Sequence, residues 1–187
     1  MAKVNDNIII SGVSGAIGDQ LVLKRVRGGR TILCKKPTFR EDRKFSEAQL
    51  ARQQAFREAS AYATMMKREP IYLAIAKGTA RTGYNVAMSD WLNPPQILEI
   101  DLSRWGGAAL ETIRMRVRDD VKVAQVRVEI SDEAGTVLEA GQAAEAGAWW
   151  WKYTMAQPLS GELTVTVFAS DLPGHITQAS ETKRLPG

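Results

Sequence analysis

The sequence predicts an α+β N-terminal module, a β-hairpin plus two helices, followed by an all-β sandwich of about seven strands. Three observations predict it. Two apolar, basic runs at residues 21–27 and 30–36 flank Gly28-Gly29, a hairpin pattern. Apolar residues between 46 and 68 recur every three or four positions, the helical period. From Gln96 onward the period becomes two, and turn residues separate short segments.

Ile8, Ile9 and Ile10 are β-branched and favour extended backbone. Gly12, Gly15 and Gly18 then remove side chains at every third position. Glycine allows positive φ and close backbone approach, so this lead-in reads as a turn or a ribbon pressed against another surface. Pro37 ends the second hairpin strand because it cannot donate to the ladder. After a charged connector at 38–44, Ser46 and Gln49 form a capping box, with Phe45 and Leu50 at the staple positions. The helix is expected to run to Arg68 on a stripe of Ala48, Ala51, Ala55, Ala59, Tyr62, Ala63 and Met66. Pro70 suits the first turn of a second helix, which Gly78 and Gly83 interrupt. Asn93-Pro94-Pro95 breaks the pattern. The expected organisation is therefore a module at 1–92, a linker at 93–95 and the sandwich at 96–187.

Strands are expected at 96–101, 111–118, 122–131, 136–141, 148–155, 162–170 and 175–183. Turns are expected at 132–135, at Ser160-Gly161 and at Pro173-Gly174. In a strand through Trp149, Trp150 and Trp151, the first and third share a face and the second takes the other. That places at least one indole outside the core, where an exposed Trp usually means a contact.

The formal net charge of +4 hides an asymmetry. Residues 1–95 carry 16 Lys+Arg and 8 Asp+Glu, a net of +8, whereas residues 96–187 carry 9 and 13, a net of −4. Opposite halves attract, within one chain or between copies. The N-terminus is too short in apolar residues for a signal-peptide core, and no run approaches the ~18 that would span a bilayer. The expected address is cytoplasmic by default, or extracellular by a route without an N-terminal signal. Cys34 is the single cysteine, so neither an intrachain disulfide nor a multi-cysteine metal site is expected.

Enzymatic chemistry finds little footing. His175 is the single histidine and follows Pro-Gly in an expected turn. The common hydrolase, metalloprotease and P-loop patterns do not occur. Asp119 and Asp120 are adjacent, so their side chains diverge and a solvated turn is expected there. The glycine spacing lacks the order of a dinucleotide fingerprint. No catalytic residue, metal or cofactor is expected.

Two resemblances extend this reading. The glycines at 12, 15 and 18, the basic hairpin, Pro37 and Ser46-Glu47-Ala48-Gln49 together resemble a module found in uncharacterised bacterial proteins. Residues 165–174, an alternating Val/Thr run followed by Ala-Ser-Asp-Leu-Pro-Gly, resemble the last strands of bacterial immunoglobulin-like domains. His175 stands where those domains often carry Asn. The resemblance implies an immunoglobulin-like sandwich in a non-catalytic structural or surface-associated protein. The leading expectation is a subunit that self-assembles into a homopolymer or filament. Ile8, Ile9, Ile10, Gly12, Gly15, Gly18, Leu21 and Leu23 would pair with a neighbour, and Trp149, Trp150 and Trp151 would make a second contact. The alternative is nucleic-acid binding by Lys24, Arg25, Arg27, Arg30, Lys35 and Lys36. A third reading is a surface adhesion module in which an exposed Trp stacks on a sugar or protein ligand.

Overall fold

The computed structural model describes residues 2–4, 13–26, 29–38 and 44–186. Among the described residues the fold is mixed α+β, with three helices and antiparallel sheets, two of which share a core as in a sandwich. It divides into two units, Met1–Ala51 and Arg52–Gly187. Asn93-Pro94-Pro95 lies inside the second unit.

In the first unit, β1 (Ala2–Val4), β2 (Gly15–Ile17), β3 (Leu21–Arg25) and β4 (Thr31–Lys35) form one antiparallel sheet in the order β1-β4-β3-β2. The expected hairpin is its centre, registered from Leu21↔Lys35 to Arg25↔Thr31. Val26 N–H donates to the Arg30 carbonyl at 2.9 Å, and Gly29 takes φ +75°, which an L side chain would resist. The chain's own short strands cover both hairpin edges. Gly15 and Gly18 have φ +139° and +59°, yet among the described residues nothing lies within 4 Å of where a Cβ would stand. Their role within the chain is conformational rather than steric. Gly12 and Ile8–Ile10 fall outside the described residues.

The helix α1 (Glu47–Met66) opens in the first unit. Its start is the expected capping box: Gln49 N–H donates to Ser46 Oγ at 3.3 Å, and Ser46 N–H to Gln49 Oε1 at 3.1 Å. In the second unit, the helical stretch from Pro70 is two helices, α2 (Pro70–Ala76) and α3 (Gly83–Leu92), because Gly78 takes φ +77° between them. Gly83 packs where a Cβ would stand 2.3 Å from the Lys67 carbonyl oxygen. Ala63, Tyr72, Val86 and Ala87 bury a small helical core.

Eight strands follow: β5 (Gln96–Asp101), β6 (Thr112–Arg118), β7 (Val123–Asp132), β8 (Val137–Gln142), β9 (Ala144–Glu145), β10 (Trp150–Thr154), β11 (Gly161–Asp171) and β12 (Ile176–Leu185). They make two four-stranded sheets, β5-β6-β10-β9 and β12-β11-β7-β8. Ile113, Met115 and Val117 of the first sheet and Val126, Val128, Ile130, Leu163, Val165 and Val167 of the second are buried in one core. The period-two runs in the sequence are this core's alternate positions. Fully buried Val and Ile side chains stabilise by about 1.5–3 kcal/mol each, so the unit's stability concentrates here.

Candidate functional site

The two long sides of the sandwich differ. On one, the chain leaves β8 in one sheet and enters β9 in the other within three residues, and Ala143 N–H donates to the Val126 carbonyl at 2.9 Å. Tyr153 crosses between the sheets there. Its hydroxyl donates to Glu139 Oε1 at 2.8 Å, and its ring lies against Gly141, where a Cβ would stand 2.8 Å from the ring. Ala156 N–H donates to the same carboxylate at 2.7 Å, so the buried Glu139 is well satisfied. Burial first, then the Glu139 hydrogen bond, push the Tyr153 hydroxyl up to about 12.

On the other side, β5 and β12 are both edge strands, and a cleft of about 740 Å³ lies between them. Its lining mixes apolar Ile97, Ile100 and Ala179 with polar Glu99, Ser180 and Glu181. Lys183 closes one end, donating through Nζ to the Leu102 and Trp105 carbonyls at 2.5 Å each. A register shift between Ile97 and Glu99 marks an irregularity in the β5 edge. Two edges unpaired among the described residues, beside a partly apolar cleft, can accept an extended strand through main-chain hydrogen bonds.

Two of the expected subunit contacts, Leu21 and Leu23, lie on β3, an inner strand of the N-terminal sheet. Leu23 is buried, Leu21 is exposed on the same face, and Ile17 is exposed opposite Leu21. Among the described residues, the expected nucleic-acid contacts divide between the two faces of the hairpin and its turn. Register puts Arg25 and Lys35 on one face of the hairpin and Lys24 on the other. Arg30 lies in the turn, Lys36 pairs with Asp19 at 3.6 Å, and Arg27 is outside the described residues.

The tryptophans depart from simple alternation. Trp151 pairs with Met115 and packs on the core, and Trp150 faces outward. Trp149 precedes the strand and does not share the inner face with Trp151. Ala148 and Trp149 have φ +48° and +69°, and this left-handed turn leaves Trp149 57% exposed. Outward guanidinium groups cover the indoles: Arg114 lies 4.5 Å and Arg116 6.0 Å from the Trp150 ring centre, and Arg118 lies 5.5 Å from that of Trp149.

A buried polar chain joins the helices to one end of the sandwich. Tyr72 Oη donates to Asp90 Oδ2 at 2.6 Å, and the Tyr62 and Tyr72 hydroxyls share a 2.6 Å bond. Asp90 is fully buried, and its Oδ1 has no donor among the described residues. Burial is the largest cause pushing its carboxyl up to about 7; Tyr72 opposes the shift, and Asp119 and Asp171 add to it. Asp119 and Asp120 diverge as expected. Asp119 accepts the Val121 and Lys122 N–H groups, and Asp120 accepts from Ser89 and Asn93 of the α3 end. His175 Nδ1 lies 2.9 Å from Asp171 Oδ2 and its ring 5.0 Å from that of Trp91. Among the described residues, no group of three or more His, Cys, Asp or Glu is placed to hold a metal ion. None of the described helices is long and apolar enough to cross a membrane.

No protein-family model matches the chain, and no curated protein matches it. Among solved structures, CopC from Methylosinus trichosporium OB3b is 16% identical, with a TM-score of 0.37, over 47% of this chain and 89% of that one. An engineered protein is 24% identical, with a TM-score of 0.36, over 57% of this chain and 23% of that one.

Proposed function

We propose that the chain is a non-enzymatic structural subunit that self-assembles into a homopolymer or filament. Its sandwich is read as immunoglobulin-like, and an N-terminal extended segment of one copy adds to the open side of the next. The observation that carries this reading is the cleft between β5 and β12, where two strand edges, unpaired among the described residues, stand beside apolar side chains. Strand addition at such an edge draws affinity from the backbone and specificity from alternate side chains. Head-to-tail contacts of this kind give open filaments when the rotation does not close. The opposite net charges of residues 1–95 and 96–187 favour that arrangement.

Light scattering and negative-stain microscopy test it on the full chain, a Δ1–20 variant and Ala179→Lys, which places a cation in the cleft. The full chain is expected to polymerise and both variants to remain small. A full chain that stays monomeric at high concentration overturns the proposal.

A further inference from the structure

We propose that the outer face of the β5-β6-β10-β9 sheet binds an acidic polysaccharide. Arg114, Arg116 and Arg118 occupy alternate positions of β6, opposite in facing to the buried Ile113, Met115 and Val117. A two-residue step places successive guanidinium stems about 6.8 Å apart in a straight row. Register brings Lys152 beside Arg114 and Trp150 beside Arg116 on the same face. Among the described residues, none of these four cations has a carboxylate at ion-pair distance. The indoles of Trp150 and Trp149 hold the guanidinium groups by cation–π contact. A guanidinium so held presents planar N–H donors matched to a carboxylate or sulfate.

Two further features suit a saccharide. Glu99 and Asp101 sit across from Arg116 and Arg114. Carboxylates accept hydrogen bonds from the free hydroxyls of a sugar ring, donors that a phosphate backbone lacks. The Ser103 hydroxyl and N–H hold the Asp101 carboxyl below its usual range, keeping it an acceptor. Trp149 is the second feature. Its left-handed backbone holds an exposed indole at the end of the row, an apolar platform with an N–H at its rim.

The test titrates the full chain with polygalacturonate, following tryptophan fluorescence and affinity electrophoresis, with dextran and an oligothymidylate as comparators. Binding to polygalacturonate and none to dextran is expected. Arg116→Gln and Arg118→Glu should each weaken binding about tenfold or more, with thermal midpoints close to the parent's. Trp149→Ala should weaken it several-fold, and Lys24→Glu on the N-terminal sheet should leave it unchanged. Ala179→Lys should also bind normally, which separates this surface from the proposed assembly cleft. Absence of polygalacturonate binding overturns the proposal, as does full affinity in both arginine variants. Tighter binding of oligothymidylate than of polygalacturonate overturns it in favour of a single-stranded nucleic acid.

Discussion

The closed and open sides of the sandwich enclose the same core but are finished differently. On the closed side, Glu139, Gly141 and Tyr153 interlock the sheets with a buried carboxylate and a ring set against a glycine. On the open side, Lys183 ties the sheets at one end, and the rest of β5 and β12 faces a cleft. The difference teaches where the fold is self-sufficient. A buried, fully hydrogen-bonded side tolerates little change, whereas an unpaired edge tolerates substitution and recruits other chains.

Substitutions break or sharpen that contrast. The largest effect is expected from Glu139→Ala, which strands the Tyr153 hydroxyl and the Ala156 N–H. A loss of about 3 kcal/mol in urea unfolding is expected. Gly141→Val drives a side chain into the Tyr153 ring and should cost about 1–3 kcal/mol by the same measurement. Lys183→Met keeps the stem but removes the donors to two carbonyls, for about 1 kcal/mol. Ala179→Lys, in the cleft, should cost under about 0.5 kcal/mol. Equal losses for Glu139→Ala and Ala179→Lys would erase the distinction between the two sides.

A pH experiment probes a third place, where α3 meets the sandwich end. Burial raises the folded Asp90 carboxyl to about 7 from its ordinary 3.8. Between these values the folded state binds the extra proton, so stability falls as pH rises through that window and levels off above it. Asp90→Asn keeps an acceptor for Tyr72 and removes the titration. Its thermal midpoint should be flatter than the parent's between pH 4 and pH 7, within the range set by the raised value. A parent midpoint that climbs with pH across this window would show the burial penalty to be compensated.

Local patterns in the sequence revealed much of this structure, and long-range partners did not. The capping box at Ser46 and Gln49 and the period-two strands are contiguous signals, and they lie where the sequence predicts them. The two-residue β9 has too few positions to show a period. Gly78 separates the helical stretch because its positive φ ends a helix, an outcome that a lone glycine in a helical pattern only partly announces. The alternation of Arg114, Arg116 and Arg118 with Ile113, Met115 and Val117 is present in the sequence, but the indoles they cover, Trp150 of β10 and Trp149 just before it, lie some thirty residues on. Trp149 departs from alternation because a left-handed non-glycine residue carries no compositional mark. Asp90 and Tyr72 sit 18 positions apart on separate helices, so nothing local pairs them.

The passage of the chain between sheets at Ala143 has a mechanical consequence. It acts as the spine of a book whose covers are the two sheets. A force prising them apart meets continuous polypeptide along the spine, and side-chain grip with a lysine clasp along the fore-edge. Under tension the sandwich should therefore gape from the β5–β12 side first.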